Sequence, residues 1–556
     1  MDTFLRISKK TLGTVILLLT YIVSAQKNTE IFDVIKKDNI FLPDFSYAGY
    51  HFGKEQIAVP QNSTIINALD FGVIPDDGLD DSKALLKTIK KANTLQNPVV
   101  IQLPAGRIIL SDILYIERSH IILSGQGTGP QGTEIFCPRP MMYLENPEGL
   151  KELREYLTDQ NKIQKEKVNN INIPFSQYSW SGGFLWARVP GKRVKSYLQK
   201  YDTPPTILGT IAKAPRETKT INVQNLRNIN VGDVVEIQWF NKKGEQGSLL
   251  NELYGEKSPK IGSHHWLYPD LPLARQQVKV IAVTKNTITI ASPLLLHIKP
   301  EYEVHIVLWE HLEEVGFQHF KVTFPYSNRI AHHVEQGYNA MYLTRLFNSW
   351  VKDVVIENAD SGILTEAIAN VTVEDIVTKG NKKGHYTVQM GGVHNVLVKN
   401  LSVQNDVMHP LSFNTFATKS VYTQCEVLKN PILDQHSGVN HQNLFDAISV
   451  FVSPDETGTY ELFKGGGAGY WKPSHASYNT FWNIDVHFLS QLNDTSAILL
   501  NGMKDGPNAR VIGVHGNKLI KVMYGPDAYQ QFTNNDMTTY PSLYRYQLEK
   551  RLANHK

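Results

Sequence analysis

The 556-residue chain holds only two cysteines, has almost no excess charge, and contains no apolar run long enough to cross a bilayer. Each shortage removes a class of explanation. Cys137 and Cys425 lie far apart and read as buried apolar residues rather than as a bridge, so the fold cannot rest on a disulfide framework. With 56 Lys and Arg against 53 Asp and Glu, the formal charge of +3 argues against bulk nucleic-acid binding. It leaves room for a local basic groove that would take an acidic polymer. The one early apolar stretch, residues 12–23, follows Arg6, Lys9 and Lys10 and precedes the small residues Ser24 and Ala25. At about a dozen residues against the roughly 20 of a spanning helix, it reads as part of a cleaved signal peptide over residues 1–25. That predicts a secreted or periplasmic protein with no membrane partner, and the lack of a cysteine near the cleavage site argues against a lipid anchor.

What the chain does have is a repeat. Hydrophobic residues make up 42% of it, enough for a large core. Within residues 348–517 a short β-branched strand recurs. Its marker Lys352-Asp353-Val354 returns as Glu374-Asp375-Ile376 and Lys399-Asn400-Leu401, then less regularly at Gln424-Cys425 and Asp446-Ala447. The step of roughly 22 to 25 residues is too short for helical-hairpin repeats, and the Leu/Asn signature of leucine-rich repeats is missing. It fits one coil of a parallel β-helix, an all-β solenoid of three strands per coil. Such a coil buries its apolar face only by stacking, so function is expected on outward side chains.

The rest of the chain divides around this solenoid: a lead-in over 26–62, a cap and first coils over 63–137, an insertion over 138–204, and an inserted β unit over 205–304. The coils with the groove follow over 305–526 and a C-terminal cap over 527–556. In the cap region Asp70-Phe71-Gly72 leads to the acidic turn Asp76-Asp77-Gly78 and a helical pattern with Asp81 or Ser82 as N-cap. Strands then end in Pro104-Ala105-Gly106 and Ser124-Gly125-Gln126-Gly127. This order resembles the N-terminal cap and first coils of the pectate-lyase-like superfamily of right-handed parallel β-helix proteins, polysaccharide lyase type, a superfamily that also holds hydrolases, epimerases and phage tailspikes. The resemblance covers residues 63–130 by motif and 305–525 by repeat character only.

Aligning the coils on the marker, with Met341, Val388 and Phe413 facing the core, predicts an outward ladder of Tyr342, Gln389, Asn414 and His436 flanked by Asp434. The densest polar stretch runs from Asp434 through His436, His441 and Asp446. A histidine beside a carboxylate suits general acid/base work, because it titrates near neutrality and the carboxylate fixes its tautomer. His385, beside Tyr386, and His409 stand at near-equivalent places in adjacent coils. His332-His333 with Glu335 leads into Arg345, but the spacing matches no zinc signature and no metal is assigned. Tyr470, Trp471, Lys472 and Trp482 suggest an aromatic rim for sugar rings, and His264-His265-Trp266 reads as a loop of the β unit.

The resemblance sharpens the choice of chemistry. Hydrolases of that superfamily carry an Asn-Thr-Asp strand, an Asp-Asp pair and a Gly-His-Gly turn, and this chain has none of the three in order. Hydrolysis needs two carboxylates across the scissile bond, whereas Glu335, Asp360, Glu366 and Asp434 are scattered over coils. The expectation is therefore a lyase that cleaves a uronic-acid-containing polysaccharide by β-elimination. His409, His436, His385 and Arg345 are the catalytic candidates. Asn414, Gln389, Asp434, His441, Glu335, Glu366, Tyr386, Trp471 and Lys472 are the substrate-binding candidates. The resemblance implies Ca2+ as a possible cofactor, although the sequence shows no compact acidic cage. An acidic polysaccharide is the expected partner of a monomer. A glycoside hydrolase and a non-catalytic glycan-binding β-helix are the alternatives.

Overall fold

The computed structural model describes residues 31–164, 175–195, 205–241, 247–255, 271–467, 472–489 and 497–554. The signal peptide, His264 to Trp266, Tyr470 and Trp471 lie outside the described residues. Parallel strands stack into a right-handed parallel β-helix. One long sheet runs from Thr64–Asn67 through Gly316–Thr323, Trp350–Glu357, Thr372–Lys379 and Leu397–Val403 to Tyr529–Gln531. A second runs Leu114–Ile116, Leu185–Ala187, Asn339–Thr344, Ser361–Glu366, Gly384–Met390, Val407–Asn414, Leu433–His436 and Gly465–Gly466. A short third sheet, from Leu312–Glu313 to Val393–His394, closes the triangle. No helix among the described residues is long and apolar enough to cross a membrane.

The marker of the repeat has a backbone cause. Asp353, Asp375, Asn400, Gln424, Ala447 and Asn483 have φ of 50, 58, 53, 54, 51 and 54°. This is the left-handed region, which Asp and Asn enter more readily than other non-glycine residues. Pairing skips the kinked residue: Lys352 lies opposite Glu374 and Val354 opposite Ile376, with Lys399 and Leu401 next in line. The kink resets the alternation of faces, so Val351 and Val354, three apart, both enter the core.

The outer parts depart from the boundaries read in the sequence. Leu185–Ala187, inside the expected insertion 138–204, pairs with both Leu114–Ile116 and Asn339–Thr344 and is a rung of the second sheet. The β unit is a six-stranded antiparallel sheet that extends to Glu303–Leu308. Its core takes in Phe416, Val439 and Ala476 from the coils, and Val439 N–H donates to Tyr254 Oη at 2.9 Å. The unit is thus fused to the coils through a shared core.

Both chain ends cover the outer face of the long sheet. Ile31, Phe45, Leu543 and Tyr544 pack on Leu397, Val421, Leu444, Trp482 and Ile512, the apolar residues that this face turns outward. Trp482, expected on a sugar-binding rim, is instead fully buried, and its Nε1 donates to Tyr540 O at 2.8 Å. The C-terminal helix Leu543–Ala553 is held at its start by Asp446, which accepts from Leu543 N at 2.7 Å and Ser542 Oγ at 2.5 Å. Burial pushes the Asp446 carboxyl from 3.8 up to about 6. A raised carboxyl favours the folded state most below about pH 4, and that contribution is lost as pH rises through 6. The melting midpoint of the wild type should fall as pH rises from about 4 to 6, with up to about 3 kcal/mol at stake. Asp446→Asn should flatten that part of the profile, and an unchanged slope in the variant would remove Asp446 as the cause.

Candidate active site

The second sheet positions the candidate side chains. Its register places Gln389 opposite Ser412 and Ser412 opposite Asp434, while Asn414 pairs with His436 two residues further on. The expected single line of Gln389, Asn414 and His436 is therefore two neighbouring lines. Leu411 and Phe413 are both buried at spacing two, so alternation alone cannot tell which one lies opposite Val388. The register pairs Val388 with Leu411.

Asp434 is the centre of the first cluster. Its Oδ2 accepts from Ser412 Oγ at 2.7 Å, interacts with His436 Nδ1 at 3.1 Å and lies 3.0 Å from His409 Nδ1. Ser412 Oγ also accepts from Asn414 Nδ2 at 2.8 Å, which fixes that amide beside the imidazoles. Burial alone would raise the Asp434 carboxyl, but His436 and His409 carry it well below the usual carboxylate range. Burial lowers His409, outweighing the opposing pull of Asp434, so His409 is neutral near pH 7.

A second cluster faces it from the segment before Asn339–Thr344. His332 Nε2 lies 3.0 Å from His385 Nε2, and His385 Nδ1 is 3.2 Å from Glu335 Oε1. Glu335 is held in turn by Ser179 Oγ, which donates at 2.6 Å, and by Arg329 at 3.5 Å. Burial drives the pKa values of His332, His333 and His385 down; repulsion from His385 adds to it for the first two, and repulsion from His409 for His385. Tyr386 joins the clusters, its ring stacked on His385 at 4.3 Å and on His409 at 4.9 Å between centroids. Its hydroxyl stays protonated because burial raises its pKa.

The two clusters stand beside a cavity of about 460 Å³. His409, His436, Gln389 and Asn414 line it from the sheet. His332, His333, Trp180, Phe175 and Tyr156 line it from the connections, and Lys195 with Glu366 closes one end. Lys195 Nζ lies 3.5 Å from Glu366 Oε2, and burial lowers the lysine's pKa.

Other expected site residues fall elsewhere. Arg345 borders a neighbouring cavity of about 290 Å³ with Glu236 and Arg275 of the β unit, and Glu366 separates the two spaces. His441 is buried, with Nδ1 on Val439 O at 2.9 Å, and does not line the histidine cavity. Lys472 Nζ donates to Ser474 Oγ at 2.6 Å and Gly465 O at 3.3 Å, buttressing the strand beside His436. Glu335 and Tyr386 stand behind the histidines. Lys195, Phe175 and Tyr156 had no role in the sequence reading, because nothing local connects them to coils more than a hundred residues away, and Arg329 had none although its partner Glu335 is six residues on.

Calcium does not fit this lining. Ca2+ takes six to eight oxygen ligands, whereas among the described residues that line the cavity Glu366 is the sole carboxylate, and it faces Lys195.

Gly466 pairs with His436 in the register, and a Cβ added there would lie 1.9 Å from His436 Nδ1. Gly466→Ala should push the imidazole off Asp434 and lower kcat by about 10²-fold, the usual worth of a positioned acid or base. The half-buried backbone should hold its melting midpoint. Unchanged kcat in this variant would show that the His436 position is not needed.

No family model matches the sequence, and no curated protein matches it. Solved structures do match in outline. The tailspike protein gp49 from Pseudomonas phage LKA1 is 13% identical, with 84% of this chain and 78% of that chain covered and a TM-score of 0.45. A hyperthermoactive exopolygalacturonase from Thermotoga maritima is 8% identical over 86% and 93% of the two chains, at a TM-score of 0.35. DFA-IIIase from Arthrobacter chlorophenolicus A6, without its lid, is 11% identical over 84% and 94%, also at 0.35. Such likenesses carry nothing about chemistry, and the β-helix rests on the strand register described above.

Proposed function

We propose that the protein is a polysaccharide lyase that cleaves a uronic-acid-containing glycan by β-elimination, exported by the leader at residues 1–25. The observation that carries this reading is the buried carboxylate of Asp434 with His409 and His436 on the same oxygen, at the edge of a cavity lined by aromatic rings. With Nδ1 toward Asp434, a neutral His409 keeps the Nε2 lone pair for the proton at C5 of a uronate. As that proton moves to Nε2, the C4–C5 double bond forms and the bond from C4 to the leaving oxygen breaks. His436, held by Asp434 at Nδ1, supplies a proton to that oxygen from its other ring nitrogen. Asn414 and Gln389 offer amide N–H groups to the uronate carboxylate, whose acidity at C5 depends on charge being drawn away. Hydrolysis is less well supported, since paired carboxylates flanking a scissile bond are needed and Glu366 alone lines the cavity among the described residues.

A panel of uronic-acid polymers separates the readings. Growth of the ultraviolet absorbance of unsaturated uronates is the expected result. New reducing ends without that absorbance would turn the assignment to a hydrolase, and binding without either would leave a glycan-binding protein.

A further inference from the structure

A cation at the uronate carboxylate would add to the polarisation supplied by Asn414 and Gln389, but Lys195 faces Glu366, Lys464 lies 3.3 Å from Glu461, and Arg345 lies in the neighbouring cavity. His332 and His333 line the histidine cavity with His385 buried beside them, and the three have no part in the proton transfers assigned so far. Its three ligand nitrogens lie within 4.8 Å of one another, and the Nε2 atoms of His332 and His385 are 3.0 Å apart. A tetrahedral site with Zn–N bonds of about 2.1 Å separates its ligands by roughly 3.4 Å, so small side-chain rotations bring the three nitrogens onto one centre.

The surroundings are those of a metal-binding histidine. His385 turns Nδ1 toward Glu335, and Glu335 is itself anchored by Ser179 and Arg329. A carboxylate at 3.2 Å on the far side of the ring is the usual outer partner of a metal-bound imidazole. Phe175 and Trp180 pack on His333 at ring centroid distances of 5.0 and 5.1 Å and give the group an apolar side. His333 itself has φ 74°, a costly conformation for a non-glycine residue, and it brings two consecutive imidazoles to 3.6 Å between centroids.

We propose that His332, His333 and His385 bind one divalent transition metal of the zinc class, with an open position toward the cavity. Three nitrogen donors select such an ion over calcium or magnesium, which prefer oxygen. Its use at the uronate carboxylate rests on the lyase reading; its binding does not.

The test uses the full chain, stripped with a chelator and titrated with Zn2+, Mn2+ and Ca2+ by calorimetry, with the melting midpoint followed in parallel. Expected are one equivalent of Zn2+ per chain, a higher midpoint on binding, and no comparable uptake of Ca2+. Co2+ in its place should give the visible absorption of a four-coordinate site. His332→Ala and His385→Gln should each weaken Zn2+ binding by at least about 100-fold, whereas His436→Ala should keep it. His332 is half-buried in a connection, so its variant should melt like the stripped wild type. Absence of stoichiometric uptake would reduce the 3.0 Å contact to a hydrogen bond between two histidines and overturn the proposal. Loss of uptake in His436→Ala alone would overturn it too, placing the ion at Asp434. Stoichiometric Zn2+ with no unsaturated product from any uronate polymer would sustain the site and overturn the lyase reading. Product formed equally by stripped and reloaded protein would overturn the role of the metal in the reaction.

Discussion

Alanine at position 409 should lower kcat by about 10²- to 10⁴-fold on a uronate polymer while leaving the melting midpoint close to that of the wild type. The two readouts belong together. His409 is 8% exposed and borders the cavity, so its removal opens space toward solvent rather than a sealed void. A histidine kept for structure would behave in the opposite way, costing about 1–3 kcal/mol of stability for its lost buried contacts before any effect on turnover. His436→Ala should resemble it, and the double variant should cost little more than either single one, because both act through Asp434 on one substrate. Steady-state kinetics and thermal melting on the three proteins decide the matter. Full activity in both single variants would end the assignment.

Replacement of Asp434 should have the largest effect of all, and its form depends on the substitute. Asparagine keeps the shape but offers an amide where two imidazoles and Ser412 find a carboxylate, so it frees the histidines to take the wrong tautomer. A loss of about 10²- to 10⁴-fold in kcat with modest destabilisation is expected. Alanine strands Ser412 Oγ and both Nδ1 atoms in a buried site and should cost about 3–5 kcal/mol of stability as well. The pH dependence follows the depressed carboxyl. A carboxylate held below its unfolded value stabilises the fold above about pH 4 and loses that contribution as pH falls further toward its folded value. The wild type should therefore lose stability in acid more steeply than Asp434→Asn. Equal acid profiles would show that the flanking histidines do not hold the carboxylate.

The solenoid was legible because its physical cause is local. An Asp or Asn that tolerates left-handed backbone sits between a charged residue and an apolar one at Asp353, Asp375 and Asn400, and the pattern needs no partner to be seen. His385 and His409 could be found the same way, since the register places Tyr386 opposite His409, whereas His436 stands opposite Asn414. Trp482 was misplaced because strands of the long sheet are apolar on both faces; alternation shows that a residue points outward, not that the chain ends return to cover it. Arg345 was misplaced for a related reason. Its φ of 53° puts it at a corner of the coil, where the outward direction is no longer that of the strand before it. The far wall was out of reach altogether: Trp180 approaches His385 only after the chain has left the stack and returned.

The kink that repeats at residues 353, 375, 400, 424, 447 and 483 works as punctuation. A strand shifted by one residue would otherwise turn every side chain to the wrong face. Because each coil restarts its count at the kink, changes of length in the connections are absorbed before the next strand begins. The stretch between 447 and 483 shows this, carrying the glycine-rich segment that begins at Gly465 while Ile484 still falls opposite Ile448. The loops around the cavity can thus vary in length and content over a frame that does not lose its place, and a whole coil could be duplicated without rewriting its neighbours.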